Sequence, residues 1–305
     1  MATFTDYVSS LANYTATDAG FRIWGKAFTD MMDTMGMTQV YSNIDWATVT
    51  MPVTASPTWA GKRVYKFNDS KSATREIYVM LEFGRVSTST ASIGFGIRVA
   101  VGTAHDGSGT VSSYVMQHYL AMTQAPGDGG DIIGVRSDMG FSIWTNLNGG
   151  SNFQGGFAVE RLCENGTPTV DGAVLMISGQ AIDTNATAYS ALFRVANYSG
   201  GHVFAAVGAQ YSGGSTRQFE NVSAIANTVD PSYAGKAPAI TMDTFGKYDS
   251  CWHWIMVNKL LYSPATEFTA TINGETGTYR TPYTGFLADN GSTSTNRNLL
   301  ALRVA

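Results

Sequence analysis

Near the start of the chain the apolar positions keep a helical period. Phe21, Trp24, Phe28, Met31, Met32 and Met35 recur at steps of three, four, three, one and three, which lines them along one stripe of a helix. Asp18, Lys26, Asp30 and Asp33 fall away from that stripe, Thr17 stands where an N-cap belongs, and Gly36 stands where a helix stops. Such a helix either caps the open end or face of a β domain or docks on another subunit. In the second case Phe21, Trp24, Phe28, Met31 and Met35 are the assembly contacts.

After residue 60 the period changes to two. Arg63 to Phe67 and Ile77 to Phe83 alternate, and in Ile93 to Val101 the residues Ile93, Phe95, Ile97, Val99 and Val101 share one face. Gly94 and Gly96 fall on the other face, where they leave room for a large aromatic ring or a second backbone. Further strands are expected at 132–135, 140–145, 157–162, 173–178, 189–196, 203–210, 252–257, 267–272 and 299–304. Asp106-Gly107, Asp128-Gly129, Asn148-Gly149, Asn165-Gly166, Asp171-Gly172, Asn273-Gly274 and Asn290-Gly291 punctuate them with residues that tolerate positive φ.

Many short strands with tight turns between them predict a mainly β chain: an antiparallel, jelly-roll-like β-sandwich body with one N-terminal amphipathic helix. The expected organisation is an N-terminal helical or attachment segment at 1–60 and a β body at 61–305, with a further division weighed near residue 236.

Composition sharpens this picture. Charged residues are only 14% of the 305, against roughly 25% in ordinary soluble domains. Hydroxyl and glycine replace them: 35 Thr, 26 Ser and 33 Gly stand against 7 Glu and 7 Lys, and no lysine occurs between Lys71 and Lys236. Surfaces of that kind suit contact with neighbours. A net charge of −4 argues against a nucleic-acid partner or an anionic membrane. The first residues lack a basic and an apolar region, and the most apolar late stretch, Cys251 to Tyr262, is interrupted and short, so neither a signal peptide nor membrane insertion is expected.

Catalytic spacings are sparse. The four histidines, His105, His118, His202 and His253, are scattered, no serine has glycine two residues away on both sides, and no Gly-Lys precedes Ser or Thr. His253 reads as a solvent-facing or hydrogen-bonded structural histidine. Glu82, Glu160 and Glu164 read as solvated strand carboxylates, and Asp106, Asp128, Asp131 and Asp138 as turn residues. Calcium at the 128–131 loop has ligand type in its favour but not the spacing. No catalytic residue, cofactor or metal is assigned. Cys163 and Cys251 read as buried free thiols. Tyr198, Tyr211 and Tyr233, in Gly/Ser-rich stretches, are candidates for contact with a host-surface glycan or another protein.

An ordered series of motifs adds a family resemblance. Phe21-Arg22-Ile23-Trp24-Gly25, Asn43 to Val49, Tyr65 to Asp69 with Ala73-Thr74, Leu81 to Gly84, Val101-Gly102-Thr103, Phe157 to Arg161 and Asn165 to Thr169 together resemble a family of tailed-bacteriophage virion structural proteins. The pair Cys163-Glu164 departs from that pattern. The resemblance implies a virion protein, made in the host cytoplasm and built into a tail, baseplate or fibre with copies of itself and other virion proteins. A saccharide receptor-binding module, a capsid decoration or collar protein, and a glycan-degrading enzyme are the alternatives.

Overall fold

The structure, a computed structural model, describes residues 2–53, 58–85, 95–112, 116–123, 129–147, 156–181, 189–197, 202–207, 240–241, 248–258, 267–281 and 298–305. In chain order the elements are β1 (Thr5–Leu11), α1 (Asp18–Thr34), β2 (Thr38–Ser42), β3 (Thr58–Lys66), β4 (Tyr78–Arg85), β5 (Phe95–Gly102), β6 (Ala104–His105), β7 (Val111–Ser112), β8 (Met116–Thr123) and β9 (Gly130–Arg136). They continue with β10 (Gly140–Leu147), β11 (Gly156–Glu164), β12 (Thr167–Ala181), β13 (Tyr189–Asn197), β14 (His202–Val207), β15 (Ile240–Thr241), β16 (Trp254–Asn258), β17 (Glu267–Ile272), β18 (Glu275–Arg280) and β19 (Asn298–Arg303). The chain is mainly β, its described strand pairs are antiparallel, and the body is sandwich-like with one helix.

The large sheet follows the path β1-β9-β10-β11-β12-β8-β5-β4-β3-β2, with β13 and β14 continuing from β12. Two meanders, β2 to β5 and β9 to β12, therefore meet through β8. Their apolar faces share one core that also takes in α1. Phe67, just after β3, lies 5.8 Å from Phe141 on β10, so the two halves touch directly. A second sheet, ordered β15-β16-β19-β18-β17, packs its Trp252, Trp254 and Leu302 against the opposite face of β9 to β12.

Helix α1 begins where Thr17 Oγ1 accepts the Gly20 amide at 3.2 Å and ends before Gly36, at φ 74°. Its stripe is spent inside this chain. Trp24 packs against Phe28, Phe83 and Phe95 at centroid distances of 5.3, 6.1 and 5.4 Å, distances at which aromatic pairs attract. Phe21, Trp24, Phe28, Met31 and Met35 are each at most 1% exposed. The reading of these five side chains as assembly contacts is thereby corrected: a side chain with no accessible surface has none to offer a neighbour.

The proposed segment 1–60 is not a separate unit either. β1 pairs with β9 and β2 with β3, so both belong to the large sheet. The second sheet starts at Ile240 among the described residues, close to the division weighed near 236, but it shares a core with the first. On β5 the apolar stripe faces the main core, and Gly96 pairs with Gly84 on β4. Beside Gly84 lies the ring of Trp59, and Gly94 lies outside the described residues.

Gly25 marks a close approach of a side chain to the helix. A Cβ built there would stand 2.2 Å from Cη2 of Trp46, whose Nε1 donates to Thr29 Oγ1 at 2.9 Å. Alanine is ordinarily the better helix former by roughly 1 kcal/mol. Gly25→Ala is expected to reverse that sign and destabilise the fold by about 1 to 3 kcal/mol through overpacking, read as a lower urea midpoint at unchanged slope.

Candidate functional site

Chemistry-bearing side chains gather where β11 is covered on both faces. Alternation sends Phe157 and Val159 into the main core, and Ala158 and Leu162 into the core against the second sheet. The next two positions carry opposite charges. Arg161 shares the first face, and Glu160 shares the second.

On the inner face the guanidinium of Arg161 reaches Asp69, with Nε donating to Oδ2 at 2.6 Å and Nη2 to Oδ1 at 3.0 Å. Both side chains are fully buried. Nη2 also donates to the Arg75 carbonyl at 2.7 Å, and Asp69 accepts the Lys71 amide at 2.8 Å. This bidentate pair ties the β3–β4 connection, which belongs to one half of the large sheet, to β11 in the other.

On the outer face Glu160 is 2% exposed, which corrects its reading as a solvated carboxylate. Alternation shows which face a residue takes but not whether another sheet covers it. Its oxygens accept the Trp252 amide at 3.0 Å and the His253 amide at 2.9 Å. Burial pushes its pKa up to about 8, against the opposing pull of those two N–H groups and of Arg303. His253 is likewise buried and hydrogen-bonded, its Nε2 3.0 Å from Ser137 Oγ, which also accepts the Met139 amide at 3.1 Å. Burial, aided by Arg303, lowers His253 to about 3 and keeps the ring neutral.

Serine, histidine and glutamate thus meet in one place, but their geometry is not that of a hydrolytic triad. Such a triad needs a carboxylate on the imidazole and a reachable hydroxyl. Here the carboxylate holds backbone amides, and Ser137 is 5% exposed. What the arrangement does is fasten the second sheet to the first. The segment Tyr248 to Trp252 extends the fastening: Tyr248 donates to Asp171 at 2.8 Å, the Asp249 amide donates to the Cys163 carbonyl at 2.8 Å, and Asn273 binds the Ser250 backbone. Arg303 completes the junction, 4.2 Å above the Phe4 ring and 3.2 Å from Glu275.

The other candidates fall apart in space. Glu82 pairs with Arg98 on the outer face of β4 and β5, where burial raises it and Arg98 opposes the rise. Asp106 caps its own loop by accepting the Ser108 hydroxyl together with the Thr110 and Ser108 amides, which hold it well below the usual carboxylate range. Asp138 accepts from Ser70, Glu164 and Asp131 are half-buried at strand ends, and His105 lies between the rings of Tyr41 and Tyr78. Cys163 and Cys251 are free and buried. Tyr198, Tyr211, Tyr233 and Asp128, with the side chains of His118 and His202, lie outside the described residues. Among the described residues no three His, Cys, Asp or Glu side chains are grouped to hold a metal ion, and no helix is long and apolar enough to cross a membrane.

Two outcomes follow from the charges on β11. Between the ordinary value of 4.5 and about 8 the folded chain keeps a proton on Glu160 that the unfolded chain has lost, so stability falls as pH rises through that window. Between about 3 and 6.5 the unfolded chain takes a proton that buried His253 refuses, so stability there rises with pH. The two oppose each other from 4.5 to 6.5 and leave a net fall from 6.5 to about 8. Glu160→Gln is expected to abolish that fall in denaturation midpoints measured across the range. Asp69→Asn is expected to cost about 3 to 5 kcal/mol, because Arg161 keeps a buried charge without its counter-charge, and replacing both by Leu and Met costs less. No protein-family model and no curated protein matches the chain, so its function is argued from these residues and from the order of its motifs.

Proposed function

We propose that the chain is a structural component of a tailed-bacteriophage virion, of the tail, baseplate or fibre region, that works by subunit assembly and not by catalysis. The observation that carries this reading is the pair of open ends of the large sheet. β1 and β2 end the strand path, and among the described residues no further strand pairs with their outer edges. β1 keeps an unbroken register with β9 over seven residues. Its single charge, Asp6, is paired with Arg280 at 2.9 Å. β2, Thr-Gln-Val-Tyr-Ser, has no charge at all and carries only a bulge at Val40.

Soluble monomers ordinarily blunt such edges with lysine, proline or bulges. Neither edge carries a lysine, a proline or an unpaired charge, and β1 keeps a regular register, which suits addition of another extended strand through main-chain hydrogen bonds. The exposed Thr5, Ser9 and Ser10 on β1, with Thr38, Gln39 and Ser42 on β2, give the charge deficit a use at such contacts. Two further features support the reading. Motif residues that resemble the phage family serve the framework, as Trp46 against Gly25 and Arg161 on Asp69 illustrate. The Ser137, His253 and Glu160 gathering is sealed at a sheet junction.

The test joins association to location. The purified chain is expected to self-associate at high concentration in sedimentation runs. Val8→Lys, at a position 57% exposed on β1, is expected to weaken association while shifting stability by no more than about 0.5 kcal/mol. Mass spectrometry of purified particles is expected to find the protein. A strictly monomeric chain that is missing from the particles would overturn the proposal.

A further inference from the structure

Two Asn-Gly turns lie within the described residues, and both are held by the same two neighbours. Asn165 and Gly166 join β11 to β12 with φ of 52° and 73°, and Asn273 and Gly274 join β17 to β18 with φ of 50° and 80°. Asn-Gly is the dipeptide most prone to spontaneous deamidation, because glycine leaves its amide nitrogen unshielded. That nitrogen attacks the Asn side-chain carbonyl carbon, a new N–C bond forms, and ammonia departs carrying the amide proton. Water then opens the succinimide at either carbonyl, leaving aspartate or isoaspartate.

The structure blocks each partner of this reaction once. In the first turn the nucleophile is occupied: the Gly166 amide donates to Asp249 Oδ2 at 2.7 Å, and the Asn165 amide donates to Oδ1 at 3.0 Å. A carboxylate at that distance holds the proton on nitrogen and repels the anion that must form before attack. In the second turn the electrophile is occupied. Asn273 Oδ1 accepts the Ser250 amide at 3.2 Å, and Nδ2 donates to the Ser250 carbonyl at 2.8 Å. The Cγ of Asn273 must break both bonds before it can swing toward Gly274, whose would-be Cβ meets open space.

We propose that the dipeptide Asp249-Ser250 guards both turns against succinimide formation, through a side chain for Asn165 and through the backbone for Asn273. The guard is the same segment that fastens the two sheets, so chemical ageing of either turn is coupled to opening of the junction. The inference is independent of the assembly reading.

The experiment is isoaspartate mapping of peptides after prolonged incubation at mildly alkaline pH, with the denatured chain as the unguarded reference. Asp249→Ala is expected to raise deamidation at Asn165 by about tenfold to a hundredfold, as loss of a charge-assisted hydrogen bond implies, and to leave Asn273 unchanged. No rise at Asn165, or an equal rise at both turns, overturns the proposal, since the latter reports loosening alone. Hydrogen exchange in the unaltered protein needs no variant. The Gly166 amide is expected to exchange more slowly than that of Gly274 by a similar factor, and equal rates overturn the guard at Asn165.

Discussion

Two adjacent ionisable residues of β11, Glu160 and Arg161, constrain how the two cores meet. A polar or charged group costs free energy to remove from water unless partners are waiting, and most when it is an ion; Glu160 and Arg161 point into different cores. Arg161 finds Asp69, and Glu160 finds two amides of the second sheet's leading segment. Strand register follows from this. A slip of one residue would send Arg161 against the Trp252 and His253 amides, donor on donor, and leave Asp69 buried without its counter-charge. The apolar residues of β11 would tolerate a slip far better, because Phe157, Ala158, Val159 and Leu162 supply hydrophobic surface to both faces.

Around that strand the packing is aromatic and depends on what glycine leaves out. The helix reaches the floor of the sandwich because Gly134 on β9 leaves space for the sulfur atoms of Met31 and Met35, and because Gly25 admits the indole of Trp46. The helix thereby becomes a core element, with one side of its stripe against β9 and the other against Phe83 and Phe95. The indole then spends its one donor on Thr29, itself buried on the helix, so the close approach leaves no orphaned polar group at Trp46.

Period and turn chemistry made much of this legible. The helix and the twelve strands read from alternation all form, with ends that differ by a few residues, and the Asn165 and Asn273 turns take the positive φ their residues favour. β6, β7, β8 and β15 were not anticipated, and three further omissions share a cause. β1, β2 and β18 are polar or edge strands with one thinly buried face, so their sequences barely alternate. The sheet junction was hidden for the opposite reason, because a strand covered twice has no polar side on which to place Glu160. One signal was present: Phe157 to Cys163 carries apolar residues at both parities, the mark of double burial, and a glutamate within such a run cannot be on a solvated face. Pairing of Arg161 with Asp69, 92 residues apart, leaves no local trace.

The joint between the two meanders bears on how the body carries force. The described register of β12 with β8 has only two pairs, Gln180 with Ala121 and Ala181 with Leu120. A pull entering at β1 and leaving at β2 runs across the strands, so ladder bonds would peel in succession. The parallel route runs through side chains: the helix wedge, the contact of Phe67 with Phe141, and the ion pair of Arg161 with Asp69. The load-bearing cross-section of this sheet is therefore its interior and not its hydrogen-bond ladder, and the body behaves under tension as a laminate glued across its middle.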